Sequence, residues 1–427
     1  MNIIERGRAF AQSLRELAGR TAWDWKRCPW CGNTLTIKNG SYRRRPWFLS
    51  GRQTVRVQRH LCHGCGKSYC ERSALLVGGS WYAREVHRAA VDHWQHVGSS
   101  LRRTAEVLRS WMGRQERWQL WRPLDDVGGE RCYLAASTVH RWLDRAGQRA
   151  QASVDGQLRG IGSAQELGTD GLWVKVRGQG RRVVLLVVDS VSGLLYPPLV
   201  AAGEESAESW RRLFERARQA GLDLDGVRGI TSDGAVGLLD YLRHSLGWVH
   251  HQRCVWHVWR HVSKEIARVG RQAAAGLPTA AAQHVRRQVH RELRSLVRSI
   301  LDAQSYAQAE AALAPLQAHA LGAGIGQQLN ELLDALMVYR LAYCQGLQRV
   351  TPEWYWRDFR LRLGHGRNHC SDPRLERAAL VWAIYHNFEP AQWRCERKRH
   401  YRRPGQSALQ VAGAPPGQVS YLDALGV

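Results

Sequence analysis

Two cysteine pairs, Cys28-Pro29-Trp30-Cys31 and Cys62-His63-Gly64-Cys65, constrain this chain more than any other feature. Each Cys-x-x-Cys is short enough to turn on itself and present two thiolates to one ion, and Gly32 or Gly66 follows directly and relieves the turn. Four thiolates so spaced predict a tetrahedral structural zinc site formed by Cys28, Cys31, Cys62 and Cys65; a redox dithiol is the competing reading. Ten cysteines in 427 residues are too dilute for a secreted disulfide scaffold. Between the pairs, residues 54–61 alternate as a strand does, so the two knuckles are expected on a small β ribbon. Cys70 is expected to be a buried thiol rather than a ligand. Arg43, Arg44, Arg45, Arg52, Arg56 and Arg59 would lay a basic surface on this metal-stapled platform.

At roughly 150 residues per domain, the chain has room for about three. With 44% hydrophobic and 23% charged residues it has the balance of a folded protein, and its apolar runs, Val183 to Val188 among them, are far short of a membrane helix. A cytoplasmic location is expected, on the bacterial nucleoid. The 62 basic residues outnumber the 37 acidic ones for a net charge of +25, which calls for a polyanionic partner, nucleic acid first. The excess is regional: residues 1–150 carry +15, 151–250 carry −1 and 251–427 carry +11. A neutral, carboxylate-containing segment between two basic ones suits a reaction centre flanked by phosphate-gripping surfaces.

Helical spacing of apolar residues predicts helices over 83–97 and 101–108, the second capped by Ser99 or Ser100. A third is expected from Ala136, with Ser137 or Thr138 as cap and His140, Arg141 and Arg145 facing outward. Its Ser-Thr-Val-x-Arg-Trp opening resembles the recognition helix of bacterial helix-turn-helix proteins, although any three-helix bundle needs the same apolar spacing.

From Gln165 the pattern turns to strands at 167–177, 182–189 and 194–202, a helix at 206–220, a strand at 227–232, a helix at 235–245 and a strand at 248–254. Three strands in meander followed by alternating helix and strand is the order of the ribonuclease H fold. Asp170 lies in the first strand and Asp233 ends the fourth. If those strands are neighbours, the carboxylates converge, and with a third acid they would form a pocket for two Mg²⁺ ions suited to phosphoryl transfer. The setting of Asp189, in Asp-Ser-Val-Ser-Gly, suits a hairpin turn better than a ligand.

These residues resemble those of the DDE-type insertion-sequence transposases, in the pattern of the Mutator-like group. There a Cys-x-x-His follows the second Asp and supports the site; here Cys254-Val255-Trp256-His257 stands 21 residues beyond Asp233. A long helical insertion follows in the family, and residues 263–344 are helical in pattern, with Val285, Val289, Leu293, Val297 and Leu301 along one face. The resemblance implies a third acid near the start of a later helix. Asp372-Pro373 is a sound helix start, which places Glu376 one turn in and favours it over Glu331, Glu353 and Glu389.

The expected architecture is multidomain α/β: an N-terminal helix (1–24), a zinc ribbon (25–78), a helix-turn-helix domain (79–150), and a ribonuclease H-like core (160–262) interrupted by an all-α insertion (263–345). A final core helix (346–393) and a basic, flexible tail (394–427) containing Arg397, Lys398 and Arg399 complete it. The implied function is a transposase that binds double-stranded DNA at element ends and at its target, cuts and joins strands with Mg²⁺, and works as a homodimer or larger assembly. The rival readings are a catalytically dead DNA-binding regulator and a structure-specific nuclease. Nineteen tryptophans could stack on unpaired bases, with core filling the default for each.

Overall fold

The computed structural model describes residues 26–71, 73–112, 132–158, 161, 164–338, 346–347, 352–363, 371–390, 405–414 and 420–427. The chain divides into two compact units, residues 1–145 with Val427, and residues 146–426. The expected helix at 1–24 and the basic run at 394–403 lie outside the described residues.

In the first unit, β1 (Thr36–Arg44), β4 (Val55–Cys62) and β5 (Ser68–Cys70) form an antiparallel sheet in the order β1-β4-β5, beside a two-stranded hairpin of β2 (Trp47–Phe48) and β3 (Gly51–Arg52). The sheet's core is small: Cys28, Cys62 and Tyr69, with Cys65 packed on them. Tyr69 takes the inward side of β5, so its neighbours Ser68 and Cys70 face outward by strand alternation. Cys70 is therefore exposed, which corrects the buried thiol expected for it. Helices α1 (Arg84–Val97) and α2 (Leu101–Met112) follow, separated by Gly98 in the left-handed conformation, φ 63°. Ser100 Oγ accepts from the Arg103 amide and caps α2 as expected.

Helix α3 (Ala136–Leu158) begins at Ala136, so Ser137 and Thr138 lie in its first turn and do not cap it. Val139, Trp142 and Leu143 are its buried face, with Trp142 stacked on His87 at 3.8 Å between ring centroids. The helix runs past the boundary expected at 150, and the division between the units falls within it.

The second unit is built on a five-stranded sheet of β6 (Glu166–Val176), β7 (Gly180–Asp189), β8 (Leu199–Ala202), β9 (Gly229–Ser232) and β10 (His250–Arg253), in the order β10-β9-β6-β7-β8. β6, β7 and β8 are an antiparallel meander, whereas β9 pairs parallel with β6 and β10 parallel with β9. The parallel steps need crossovers, supplied by α4 (Ala207–Ala220) and α5 (Val236–Ser245). Leu172, Val174 and Val176 of β6 and Val184, Leu186 and Val188 of β7 share one face. It packs against α11 (Pro352–Leu363) and α12 (Asp372–Phe388) through Trp356, Phe359, Leu375 and Trp382. One final core helix was expected over 346–393; two are present because both supply apolar faces to this layer.

α6 (Val255–Ala273), α7 (Thr279–Leu301), α8 (Tyr306–Ala318), α9 (Ala323–Glu331) and α10 (Leu333–Met337) follow β10 and pack on a core of their own. The stripe Val289, Leu293, Val297 and Leu301 is buried in it, with Val285 at its margin, as its spacing predicts. The one-turn helices α13 (Ala408–Val411) and α14 (Tyr421–Ala424) correct the flexible tail expected there. Each has a capping box, and Leu409, Tyr421, Leu422 and Leu425 are buried.

Where α4 and α5 meet, the backbones leave no room for a side chain. A Cβ on Gly237 would stand 1.9 Å from the Glu205 carbonyl oxygen and 2.7 Å from the Ser206 carbonyl carbon. Gly237→Ala is expected to destabilise the protein by about 3 kcal/mol, because neither obstacle is a movable side chain. The urea midpoint measures this, and an unchanged midpoint would show that the α4–α5 contact yields freely.

Candidate active site and metal centre

The zinc-binding candidates converge. Ligand atoms of Cys28, Cys31, Cys62 and Cys65 all lie within 4.8 Å of one another, with Sγ separations of 3.7 Å for Cys28–Cys65 and 3.6 Å for Cys31–Cys62. Zn–S bonds of about 2.3 Å in a tetrahedron demand S···S edges of about 3.8 Å, so the cage is the size a zinc ion needs. Each pair turns on backbone bonds from the residue after it, Gly32 N–H to Cys28 C=O and Gly66 N–H to Cys62 C=O, both 2.9 Å, with φ of 72° and 69° at these glycines. Burial opposes ionisation of Cys28, but the amides of Trp30 and Cys31 and the adjacent thiols outweigh it and bring it down to about 7. At Cys31 the Asn33 amide favours the thiolate, yet burial and the three neighbouring thiols drive it up to about 12. Thiols this close cannot all ionise without a cation among them.

On the ribbon, Arg43, Arg45, Arg56 and Arg59 are exposed, and Arg43 stands opposite Arg56 across the β1–β4 ladder. Arg44 is used internally: its guanidinium donates to the Ser80 carbonyl at 2.5 Å and to that of Val77 at 3.5 Å. On α3, Ser137, Arg141 and Arg145 are exposed, Arg141 donates to Thr138 Oγ1 at 3.1 Å, and His140 is half-buried.

Strand pairing sets β6, which carries Asp170, beside β9, which Asp233 directly follows. In the parallel β6–β9 ladder Gly168 pairs with Thr231, and Asp170 and Asp233 each lie two residues further on, at the carboxyl end of β9. Asp170 continues within β6, whereas Asp233 follows the last residue of β9 and opens a turn. Asp170 is only 4% exposed and accepts from the Gly171 amide at 2.9 Å. Asp233 accepts from the Ala235 amide at 3.1 Å across a turn that needs Gly234 at φ 77°.

A further acid within the field of Asp233, which the spacing of motifs did not reveal, lies over Gly171, on the face of β6 opposite to that of Asp170. Glu205, between β8 and α4, carries its Oε1 2.6 Å from where a Cβ on Gly171 would be. Burial, then the charge of Asp233, pushes its carboxyl up to about 7, against a hydrogen bond from Trp173. Its Oε2 is buried with no hydrogen-bond partner. The sequence signal was weak: Glu204-Glu205 before the Ser206 cap looks like a charged turn, and only the glycine at 171 hints at what it accommodates.

Two side chains of β10 lie within the field of Asp233. Arg253 of β10 lays its guanidinium where a Gly234 side chain would be, its Nη1 1.1 Å from the virtual Cβ. Burial lowers the Arg253 pKa and Asp233 raises it. His251 shares a 2.8 Å hydrogen bond with Ser232 Oγ and is held down to about 4 by burial and then by Arg253, against Asp233. It is neutral at physiological pH.

Glu376 is in the first turns of α12, as expected, but its carboxylate is engaged by Arg216 of α4. Asp372 in the same turn holds Arg182 of β7 at 2.8 Å. Glu205, by contrast, is an acid whose ionisation responds to Asp233. Glu331 ends α9, 3.5 Å from the Gln327 amide nitrogen; Glu389 caps the end of α12; the Glu353 side chain lies outside the described residues. Asp189 is a turn residue as read, accepting from the Val191 amide at 2.9 Å and from Ser192 Oγ.

Cys254 is the buried hinge between β10 and α6: its amide donates to the Ser232 carbonyl at 2.8 Å, beside Asp233. His257, one turn on, meets the Trp256 ring edge to face at 4.9 Å. Arg397, Lys398 and Arg399 lie outside the described residues. No helix among the described residues is long and apolar enough to cross a membrane.

Residues 165–345 match the family model described as "Transposase, Mutator family". The matched segment takes in Asp170, Asp233, Cys254, His257 and the helices through α10. A search of curated proteins finds no match.

Proposed function

We propose that this chain, whose residues 165–345 are a Mutator-family transposase domain, binds the ends of a mobile element on double-stranded DNA, cuts a phosphodiester there and joins the freed 3′-hydroxyl to target DNA. The observation that carries the reading is the β6–β9 register, in which Gly168 pairs with Thr231, two residues before Asp170 and Asp233 respectively. The strand order β10-β9-β6-β7-β8, with its meander and two parallel steps, supports a ribonuclease H-like core. Carboxylates such as Asp170, Asp233 and Glu205, the last with a buried oxygen lacking a partner, are the ligand type a hard divalent cation such as Mg²⁺ takes. When bound, Mg²⁺ would supply Lewis-acid activation of the attacking oxygen and stabilise the leaving one.

Asp170 and Asp233 would hold the ions. Asp170 is oriented by burial and by the Gly171 amide, Asp233 by the Ala235 amide and by the Arg253 guanidinium nearby. Motif order assigns the third position to Glu376. A second reading assigns it to Glu205, on the strength of its orphaned Oε2 and its place within the field of Asp233. Cys254 and His257 would support the site from the strand-to-helix junction. End recognition would fall to the zinc ribbon, through Arg43, Arg45 and Arg56, and to α3, through Ser137, Thr138, His140, Arg141 and Arg145. Arg397, Lys398 and Arg399 would add phosphate contacts. A homodimer or larger assembly on paired ends, at the nucleoid in the cytoplasm, completes the proposal.

The test is a supercoiled plasmid carrying the DNA that flanks the coding region, incubated with the full chain and Mg²⁺. Cuts leaving 3′-hydroxyls at defined ends, followed by joining, are the expected products. Binding without cutting would favour the regulator reading, and cutting of branched DNA without end preference the nuclease reading. In the same assay, motif order predicts that Glu376→Gln loses more than a hundredfold and Glu205→Gln less than tenfold. The reverse pattern assigns the third ligand to Glu205.

A further inference from the structure

The helices after β10 carry a basic hollow that neither the motifs nor the family match assigns. It measures about 760 Å³ and is lined by Arg271 of α6 and by Arg286, Arg287, Arg291, Arg294 and Arg298 of α7. The sequence builds it simply. α7 buries Val289, Leu293 and Val297 against its neighbours, and the arginines occupy the strips beside that stripe. Arg286, Arg294 and Arg298 share one strip by four-residue multiples, spanning about 18 Å at 1.5 Å per residue. Gly270 of α6 faces α7: a Cβ there would stand 3.8 Å from the Arg286 carbonyl oxygen, an ordinary contact distance. Arg271 and Arg286 therefore flank the point where the two helices touch.

The positions of two of these guanidinia are set in advance. Arg294 and Arg298 lie over the Trp259 ring of α6 at 5.4 and 5.7 Å, a cation–π arrangement that orders them without neutralising them. Among the described residues none of the six has a carboxylate partner. Pairing is available nearby, since Arg268 binds Glu265 at 2.7 Å. Glu292, the acid of α7 itself, is occupied by Gln288 at 3.0 Å and His319 at 3.5 Å. Six like charges collected in one hollow repel one another unless an anion enters. Arginine's planar fork matches phosphate oxygens, and 18 Å corresponds to about five phosphates of one strand at 3.4 Å of axial rise.

We infer that the α6–α7 hollow is a clamp for the phosphate backbone of duplex DNA, indifferent to base sequence. This rests on the transposase reading and deepens it by naming a second DNA contact. α6 starts at Cys254, beside Asp233, and reaches Gly270 after about 24 Å, so the clamp grips the duplex some six or seven base pairs from the reacting phosphate.

The experiment uses the full chain and a 30-base-pair duplex of arbitrary sequence, with affinity measured by fluorescence anisotropy across a salt series. The variant is Arg286→Gln/Arg287→Gln/Arg291→Gln, three exposed positions that spare the pair on Trp259. Loss of three phosphate contacts should reduce the slope of log K against log [salt] by about 2.7 and weaken low-salt binding at least tenfold. Lysine at the same positions should retain the slope, because a point charge still neutralises a phosphate. Should the triple variant fold poorly, Arg287→Gln/Arg291→Gln should lower the slope by about 1.8. A wild-type chain that cuts its ends, with a glutamine variant of unchanged slope, overturns this inference alone. A wild-type chain that binds no DNA overturns the transposase reading with it. A slope change seen only with duplex RNA overturns the assignment to DNA.

Discussion

Asp170→Asn and Asp233→Asn are each expected to lower Mg²⁺-dependent strand cleavage at least a thousandfold while leaving DNA binding within a few-fold of wild type. The substitution keeps the shape of each side chain and removes one anionic ligand. A thousandfold corresponds to about 4 kcal/mol of transition-state stabilisation, within the several kcal/mol a bound metal supplies in phosphoryl transfer. The fold should survive, because the lost charges repel one another: Asp233 is one reason the Glu205 carboxyl stands near 7. That gives a second readout. In Asp233→Asn the Glu205 carboxyl should titrate at lower pH, followed by infrared or NMR spectroscopy of the metal-free protein. Wild-type cleavage rates in either variant would sink the assignment of the pair. Equal loss of DNA binding would show that the substitutions act on the fold instead.

The second large effect concerns the cysteine cage. Stripping metal with a strong chelator, or replacing Cys28 and Cys62 by serine, is expected to unfold the β1-β4-β5 sheet and abolish recognition of the element ends. The reason is size. A buried cluster of the sheet consists of Cys28, Cys62 and Tyr69 with Cys65, so the metal site supplies three of its four residues. Structural zinc binding amounts to about 10–16 kcal/mol in peptides of this kind, more than so small a sheet could recover from apolar burial. Metal analysis should give one zinc per chain, and chelation should collapse the dispersed amide resonances of residues 26–71. A sheet that stays folded after complete metal removal, or a recovered Cys28–Cys65 disulfide, would refute the zinc assignment.

How much of this was legible beforehand depends on whether a feature is local. The cysteine cage was, because two residues between thiols suffice to make a knuckle. So was the apolar stripe of α7, since helical periodicity is set within four residues. The neighbouring of β6 and β9, the strands that carry Asp170 and lead into Asp233, was legible at one remove, from strand order. Glu205 was not, because its partners are created by β8 returning to the sheet edge and α4 starting over Gly171. Nor was the engagement of Glu376 by Arg216, a meeting of helices 160 residues apart. Cys70 was misjudged because a cysteine's apolar character says nothing about which face of a three-residue strand it occupies. The closing residues looked like a Pro/Gly-rich tail until buried Leu409, Tyr421 and Leu422 showed them docked.

The amino-acid sequence by itself determined the cysteine cage, the strand and helix order and the excess of positive charge, because each depends on spacing along the chain or on composition. Only the tertiary structure decided which carboxylates share a field and which arginines share a hollow. Those relations depend on distances between elements remote in sequence, and electrostatic interaction follows distance in space.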